Sequence, residues 1–274
     1  MDTTPPAARQ IQVHGVRLNV VVTGSGPPVV LLHGFPDSHA LWRQVTPPLV
    51  AAGFKVIAPD LRGFGASEAP AATQAYELPV LAADVVGLLD ALGIAKARLV
   101  GHDWGALVGW HACLDHAERF ERFAAISVGH PTAYATAPLV QKLKSYYAFL
   151  FQIPRLSDWL VRAGGWKSLS VLTGYPDEAG NWIRDLSRPG RLTAALNYYR
   201  ANLRRILRRD PRHVPLPVMG VWSSGDVALC EAQMTASRRF VDGPWRYERI
   251  DGVSHWIPLQ APERLAALLL DFLS

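Results

Sequence analysis

Hydrophobic positions in this chain follow two rhythms. Short continuous apolar runs recur at 28–32, 54–59, 97–101, 123–128 and 218–222, and runs of that length bounded by turn residues fit strands buried on both faces. Between them lie segments with helical spacing. Within 80–92, Val80, Leu81, Val85, Leu88, Leu89 and Leu92 keep steps of about three and four, and Gly93 ends the pattern as a C-terminal helix glycine does. Strands alternating with helices predict an α/β fold, a mostly parallel sheet with helices on both faces. Ahead of the first buried strand, the β-branched runs 11–13 and 17–23 flank His14-Gly15-Val16 and predict an antiparallel hairpin. A strand over 245–250 and a helix over 262–272, with Pro262 in its first turn, close the pattern.

One interval breaks the alternation. Across 133–213 no strand-like run occurs, while helical periods fall at 142–151, 158–162, 179–186 and 192–208. The expected organisation is therefore a core in two parts, 1–132 and 214–274, with a helical cap over 133–213 inserted between two sheet strands. An inserted cap of this kind is placed to act as a lid.

Composition narrows the picture. With 49% hydrophobic and 19% charged residues over 274 positions, the chain can bury a sizeable core, and global disorder is excluded. The apolar run 265–270 falls far short of the ~20 residues that a membrane-spanning helix needs, so no membrane partner is expected. The opening Met1-Asp2-Thr3-Thr4-Pro5-Pro6 lacks the positive start and apolar centre of a secretory signal, which predicts a cytoplasmic protein. Cys113 and Cys230 are too few for a disulfide scaffold and lack metal-ligand spacing; both are expected to be reduced, partly buried thiols, with no metal site. The net charge of +5 owes much to Arg188, Arg191, Arg200, Arg204, Arg205, Arg208, Arg209 and Arg212. In helical projection these spread over several faces between Leu192, Leu196, Leu203, Ile206 and Leu207, which predicts a solvated helix exterior and no nucleic-acid partner.

The chemistry concentrates at predicted strand ends. Gly101-His102-Asp103-Trp104-Gly105 follows a strand and opens a helix, the setting of a nucleophile elbow, in which a sharp turn exposes the central side chain and flanking glycines relieve crowding. Here the central residue is Asp103. Asp226 stands just past the strand 218–222, and His255 lies in the loop between the last strand and the last helix. Either alone is as readily a turn or loop residue. Together the three give the order nucleophile, acid, histidine, beyond strand ends where open α/β sheets form their sites.

These motifs, with His33-Gly34-Phe35-Pro36 after another strand, resemble the α/β-hydrolase superfamily. The resemblance implies the α/β-hydrolase fold and an oxyanion hole from the backbone N–H groups of Phe35 and Trp104. It makes Phe35-Pro36 a candidate cis peptide. It also marks 60–67 (Asp60-Leu61-Arg62-Gly63-Phe64-Gly65-Ala66-Ser67) as a structural loop near the site. An aspartate nucleophile suits displacement at a saturated carbon, giving an alkyl ester whose carbonyl water then attacks. Epoxides and haloalkanes are the two obvious substrate classes. The cap separates them, since opening an epoxide requires a proton donor whereas halide loss requires weak donors such as indole N–H groups.

Around Phe151-Gln152-Ile153-Pro154 and Asn197-Tyr198-Tyr199-Arg200 the chain closely resembles the soluble and microbial epoxide hydrolases. Their two lid tyrosines match Tyr147 and Tyr199, with Tyr146 or Tyr198 as the alternatives one position away. Against a haloalkane dehalogenase, Phe35 stands where those enzymes usually carry a polar residue, leaving Trp104 without its usual partner donor. Against fluoroacetate dehalogenases, Trp104 stands in place of an arginine. The 127–132 stretch carries no carboxylate to serve as an alternative acid. The expected function is cofactor-independent hydrolysis of a small-molecule epoxide by water to a vicinal diol. Asp103, Trp104, Phe35, Tyr147 and Tyr199 would contact substrate, and Asp226 and His255 would activate water. Haloalkane dehalogenation is the nearest rival. A non-catalytic small-molecule-binding module of the same fold is the rival of a different class.

Overall fold

Eight strands form one sheet in the computed structural model, which describes residues 8–274; the opening Met1–Pro6 stretch lies outside the described residues. The strands are β1 (Ala8–Val13), β2 (Val16–Thr23), β3 (Pro28–Leu32), β4 (Lys55–Pro59), β5 (Ala97–His102), β6 (Phe120–Ile126), β7 (Val218–Gly225) and β8 (Trp245–Ser254). Their order is β1-β2-β4-β3-β5-β6-β7-β8. β2 runs antiparallel to both its neighbours, and β3 to β8 are parallel. This is the mostly parallel α/β sheet expected from the alternation of runs and the α/β-hydrolase architecture that the resemblance implied. The central strands are apolar throughout because helices cover both faces: Val29, Val30, Leu31 and Leu32 of β3 are all fully enclosed. At the edge, His14 (φ 39°) and Gly15 (φ 81°) are both left-handed, the two-residue turn whose twist matches the paired strands.

Between β6 and β7 the chain is helical. Its helices are Pro131–Ala135, Leu139–Lys144, Tyr146–Leu150, Leu156–Arg162, Lys167–Thr173, Ala179–Leu186 and Arg191–Ile206. Two details differ from the sequence pattern. The helix expected over 142–151 is interrupted at Ser145, whose hydroxyl lies 2.6 Å from that of Tyr134 and accepts a 2.9 Å bond from Gln141 Nε2. The helix Lys167–Thr173 lacked a clear period and was not expected.

The insertion is fastened to the core by polar contacts. Tyr198 donates its hydroxyl to the Arg62 carbonyl (2.7 Å), and Asn202 accepts from the Leu78 amide (2.9 Å) while donating to the Tyr76 carbonyl (2.8 Å). The arginine stretch needs correction here. Arg188 and Arg191 donate to the carbonyls of Gly65 and Ser67, and Arg200 pairs with Asp158 while donating to the Phe151 carbonyl. These three are braces, not solvated exterior, because the helices that carry them lie against the core loop and the neighbouring insertion helices. Both cysteines are free, and both are buried where partial burial was expected, Cys113 wholly so. Among the described residues no helix is long and apolar enough to cross a membrane.

Arg62 and Asp84 form a buried bidentate pair, with N–O distances of 2.8 and 2.7 Å. Replacing one partner strands the other charge away from water. Asp84→Ala should therefore lower unfolding stability by about 3–5 kcal/mol, read as a lower urea midpoint; a loss under about 1 kcal/mol would show that water reaches Arg62 after the change.

Candidate active site

β3 and β5 are adjacent and parallel, with Leu32 opposite Gly101, so the loops that leave their carboxyl ends meet. The chain moves from β3 to one side (β4) and then returns to the other (β5), which opens the crevice where such sheets place ligands. Asp103 follows β5 at φ 54°, ψ −120°, a conformation costing a side-chain-bearing residue about 1–3 kcal/mol. Two glycines permit the turn. A Cβ on Gly105 would stand 2.2 Å from the Leu32 carbonyl oxygen, and one on Gly34 would stand 2.3 Å from Asp103 Oδ1. The strain aims the carboxylate at the β3 loop, where the Phe35 N–H donates to Oδ1 at 2.8 Å. The Phe35-Pro36 peptide is cis, as the resemblance implied.

His33 sets that loop. Its Nδ1 lies 2.9 Å from the Gly34 carbonyl and its Nε2 2.9 Å from the Leu61 amide, so Nδ1 carries the proton and Nε2 accepts. Burial keeps His33 neutral, at about 4. Asp60, in the loop after β4, accepts from the His39 amide and ring Nδ1 and from Asn19 and Ala66. Burial works against its charge, but the His39 bonds outweigh it and hold the carboxyl well below its usual range.

His255 stands opposite the elbow. Its Nδ1–H donates to Asp226 Oδ2 at 2.8 Å, and its Nε2 faces Asp103 Oδ2 at 3.6 Å. Asp226 is held in turn by the amides of Ala228 and Leu229, both 2.8 Å from Oδ1. Burial opposes a charge on His255, yet the two carboxylates prevail and raise it to about 10. Burial likewise opposes the Asp103 charge, but the facing His255 and the Trp104 amide keep it ionised. Asp103, Asp226 and His255, chosen from distant parts of the sequence, are thus brought together.

A cavity of about 310 Å³ lies under the insertion and a smaller one of about 40 Å³ beside His255; Asp103, Tyr147 and Tyr199 line both. The Tyr199 ring meets the Trp104, Phe35 and Tyr147 rings edge-on, at 4.9, 5.6 and 5.9 Å between centroids. Burial, the charge on Asp103 and the neighbouring phenol push Tyr147 well up, and burial with the same charge pushes Tyr199 up, so both hydroxyls keep their protons. The alternative positions face elsewhere. Tyr146 is 59% exposed, and the Tyr198 hydroxyl is committed to Arg62. The large cavity is walled mainly by apolar side chains, among them Leu107, Val128, Leu203 and Leu229, which suits an apolar ligand. Among the described residues no cluster of three His, Cys, Asp or Glu side chains could hold a metal ion.

Sequence reasoning missed two residues that steady this arrangement. His102 donates from Nε2 to the His255 carbonyl at 2.9 Å, its ring centroid 4.7 Å from that of His255, and burial with the neighbouring His255 keeps it neutral at about 4. Gln141, on an insertion helix, donates to the Ala228 carbonyl (3.0 Å) and accepts from the Cys230 amide (2.8 Å), clamping the loop that carries Asp226. A buried glutamine one step from exposed Val140 and Lys142 gives no periodic signal.

The chain resembles known proteins over most of its length. A family model described as the alpha/beta hydrolase fold matches residues 27–165. An AB hydrolase superfamily protein of Bacillus subtilis is 34% identical, with 96% of each chain covered. Epoxide hydrolase A of Mycobacterium tuberculosis is 33% identical, with 98% of each covered. The crystal structure of epoxide hydrolase A from Mycobacterium thermoresistibile superposes with a TM-score of 0.87 at 30% identity, covering 98% of both chains.

Because two carboxylates raise His255, removing one must lower it. In Asp103→Asn the His255 ring should titrate roughly one to three pH units below the wild type, followed by NMR of the imidazole carbon signals. An unchanged midpoint would mean that Asp103 does not act on His255 across the 3.6 Å gap.

Proposed function

The chain belongs to the α/β-hydrolase family, among relatives named epoxide hydrolases, and from that membership and the site geometry we propose that it hydrolyses an apolar epoxide to a vicinal diol through an ester on Asp103. One observation carries the reading: a strained, ionised carboxylate and two protonated phenols, Tyr147 and Tyr199, border the same apolar cavity. A carboxylate supplies the nucleophile for saturated carbon, and phenols supply the proton that an opening epoxide needs. The insertion acts as the lid that carries the phenols.

In the first half-reaction Asp103 Oδ2 attacks a ring carbon, the carbon–oxygen bond of the ring breaks, and one tyrosine protonates the departing oxygen. Oδ1, already held by the Phe35 N–H, becomes the ester carbonyl oxygen. The ester has no charge, so His255 loses one of the two carboxylates that raised it; the proton it then releases restores the phenol. In the second half-reaction the neutral His255, oriented by Asp226, takes a proton from water as the oxygen attacks Asp103 Cγ. Negative charge gathers on Oδ1 between the Phe35 and Trp104 N–H groups, the ester bond breaks, His255 returns its proton to the leaving diol, and the acid proton left on the Asp103 carboxyl passes to His255 to restore the resting ion pair. Halide displacement is less well served, because Phe35 contributes a hydrocarbon ring where a second side-chain donor would be wanted.

The two halves separate by mutation. His255→Gln should still form the ester and then stall, so that the intact protein gains the mass of the epoxide; repeated turnover would remove His255 as the base. Tyr147→Phe and Tyr199→Phe should each slow ring opening by roughly 10²- to 10⁴-fold in single-turnover kinetics. Tyr198→Phe, which loses only the bond to the Arg62 carbonyl, should cost stability and leave ring opening within about tenfold. Equal effects at all three tyrosines would contradict the assignment.

A further inference from the structure

The outer side of the insertion carries a heavy load of large apolar groups. From Leu139 to Trp159, by way of Leu143, Tyr146, Phe149, Ile153 and Leu156, they follow at steps of three or four residues and stand 43–68% exposed. Scattered exposed apolar residues need no explanation, but seven large ones within 21 consecutive residues, carried by three successive short helices and the turn before the last, mark a contact surface. Its charge is one-sided. Residues 138–167 hold Lys142, Lys144, Arg155, Arg162 and Lys167 against a single acid, Asp158. That acid is already committed to Arg200 and Thr193, whereas Lys142, Arg155, Arg162 and Lys167 are exposed.

The same face holds the mouth of the large cavity. Phe149 (48% exposed) and Lys142, with Leu207 (49% exposed) and Arg205 from the end of helix Arg191–Ile206, line it from the solvent side. We propose that this face docks on a membrane surface bearing anionic lipid, so that apolar substrate dissolved in the bilayer passes directly into the cavity. An interfacial surface combines large apolar side chains with Tyr, Trp and flanking cations, and this one has each. A second copy of the chain fits less well, since a two-fold contact would set the exposed cations of the two copies against one another. The expectation of no membrane partner rested on spanning length, and surface docking needs no span.

Cosedimentation of the intact protein with vesicles tests this without turnover, so its outcome is independent of the reaction assigned above. The probes are vesicles of phosphatidylcholine alone and of phosphatidylcholine mixed with phosphatidylserine. Binding is expected to the mixed vesicles, much weaker to the neutral ones, and declining as salt rises. Each cation near an anionic surface strengthens binding about fivefold, so Arg155→Gln with Lys167→Gln should weaken it roughly twenty-five-fold. Leu143→Ser with Trp159→Ser should also release the protein, while turnover of a water-miscible epoxide stays at the wild-type rate in both double variants. Absence of binding to either vesicle, or equal binding to both regardless of the cations, would overturn the proposal. A concentration-dependent dimer dissolved by Leu143→Ser with Trp159→Ser, without lipid binding, would overturn it in favour of an interface between copies.

Discussion

The 2.8 Å hydrogen bond from the Phe35 N–H to Asp103 Oδ1 is the constraint around which the site is arranged. It forms only if two loops from neighbouring parallel strands converge, if Gly34 presents no Cβ, and if Asp103 holds a backbone conformation that few residues adopt. Each condition has its own support. His33, bonded to Gly34 and Leu61, shapes the first loop. Asp60, with four hydrogen bonds, anchors the loop that supplies Leu61. The buried strands β3 and β5 fix the separation of the two ends. A carboxylate is costly to enclose unless its oxygens are paired, and the same amides that satisfy Asp103 are aimed where negative charge would gather during ester hydrolysis.

Electrostatics then couple the halves of the proposed cycle. One imidazole lies between two buried carboxylates, and its proton affinity depends on how many are charged. In the proposed cycle alkylation would remove the charge from Asp103, so the event that creates the ester would also turn His255 into the base that destroys it. The phenols respond in the same sense, since the charge on Asp103 raises their proton affinity along with that of His255. Burial and the charge on Asp103 keep Tyr147 and Tyr199 protonated until substrate arrives. Apolar walls strengthen these interactions by excluding water.

How much of this was legible in the sequence follows from the range of the interactions. Strand runs such as 28–32 and 218–222 were readable because complete burial leaves continuous apolar stretches. The elbow was readable because glycines flank an acid at a strand-to-helix junction. Tyr147 and Tyr199 emerged through resemblance to known families, and the burial and hydrogen-bond partners that distinguish them from Tyr146 and Tyr198 depend on residues distant in the chain. Ser145 shows the opposite case: its break in a helical period depends on Tyr134, eleven positions away, and on Gln141. Arg188, Arg191 and Arg200 resembled solvated charges because their acceptors are mostly backbone carbonyls elsewhere in the chain, which composition does not reveal. His102 and Gln141 act on main-chain atoms of residues far along the sequence, and such roles leave no local pattern.

The most direct test of the central claim, attack by Asp103 on the substrate, is a single turnover in water carrying a heavy oxygen isotope, with enzyme in excess over a simple aryl epoxide. Attack by Asp103 gives a diol whose added oxygen is light, because it came from the Asp103 carboxylate, and a peptide containing Asp103 that has gained one heavy oxygen. A diol carrying heavy oxygen, with the Asp103 peptide unlabelled, would mean that water attacks the epoxide directly and would contradict the account.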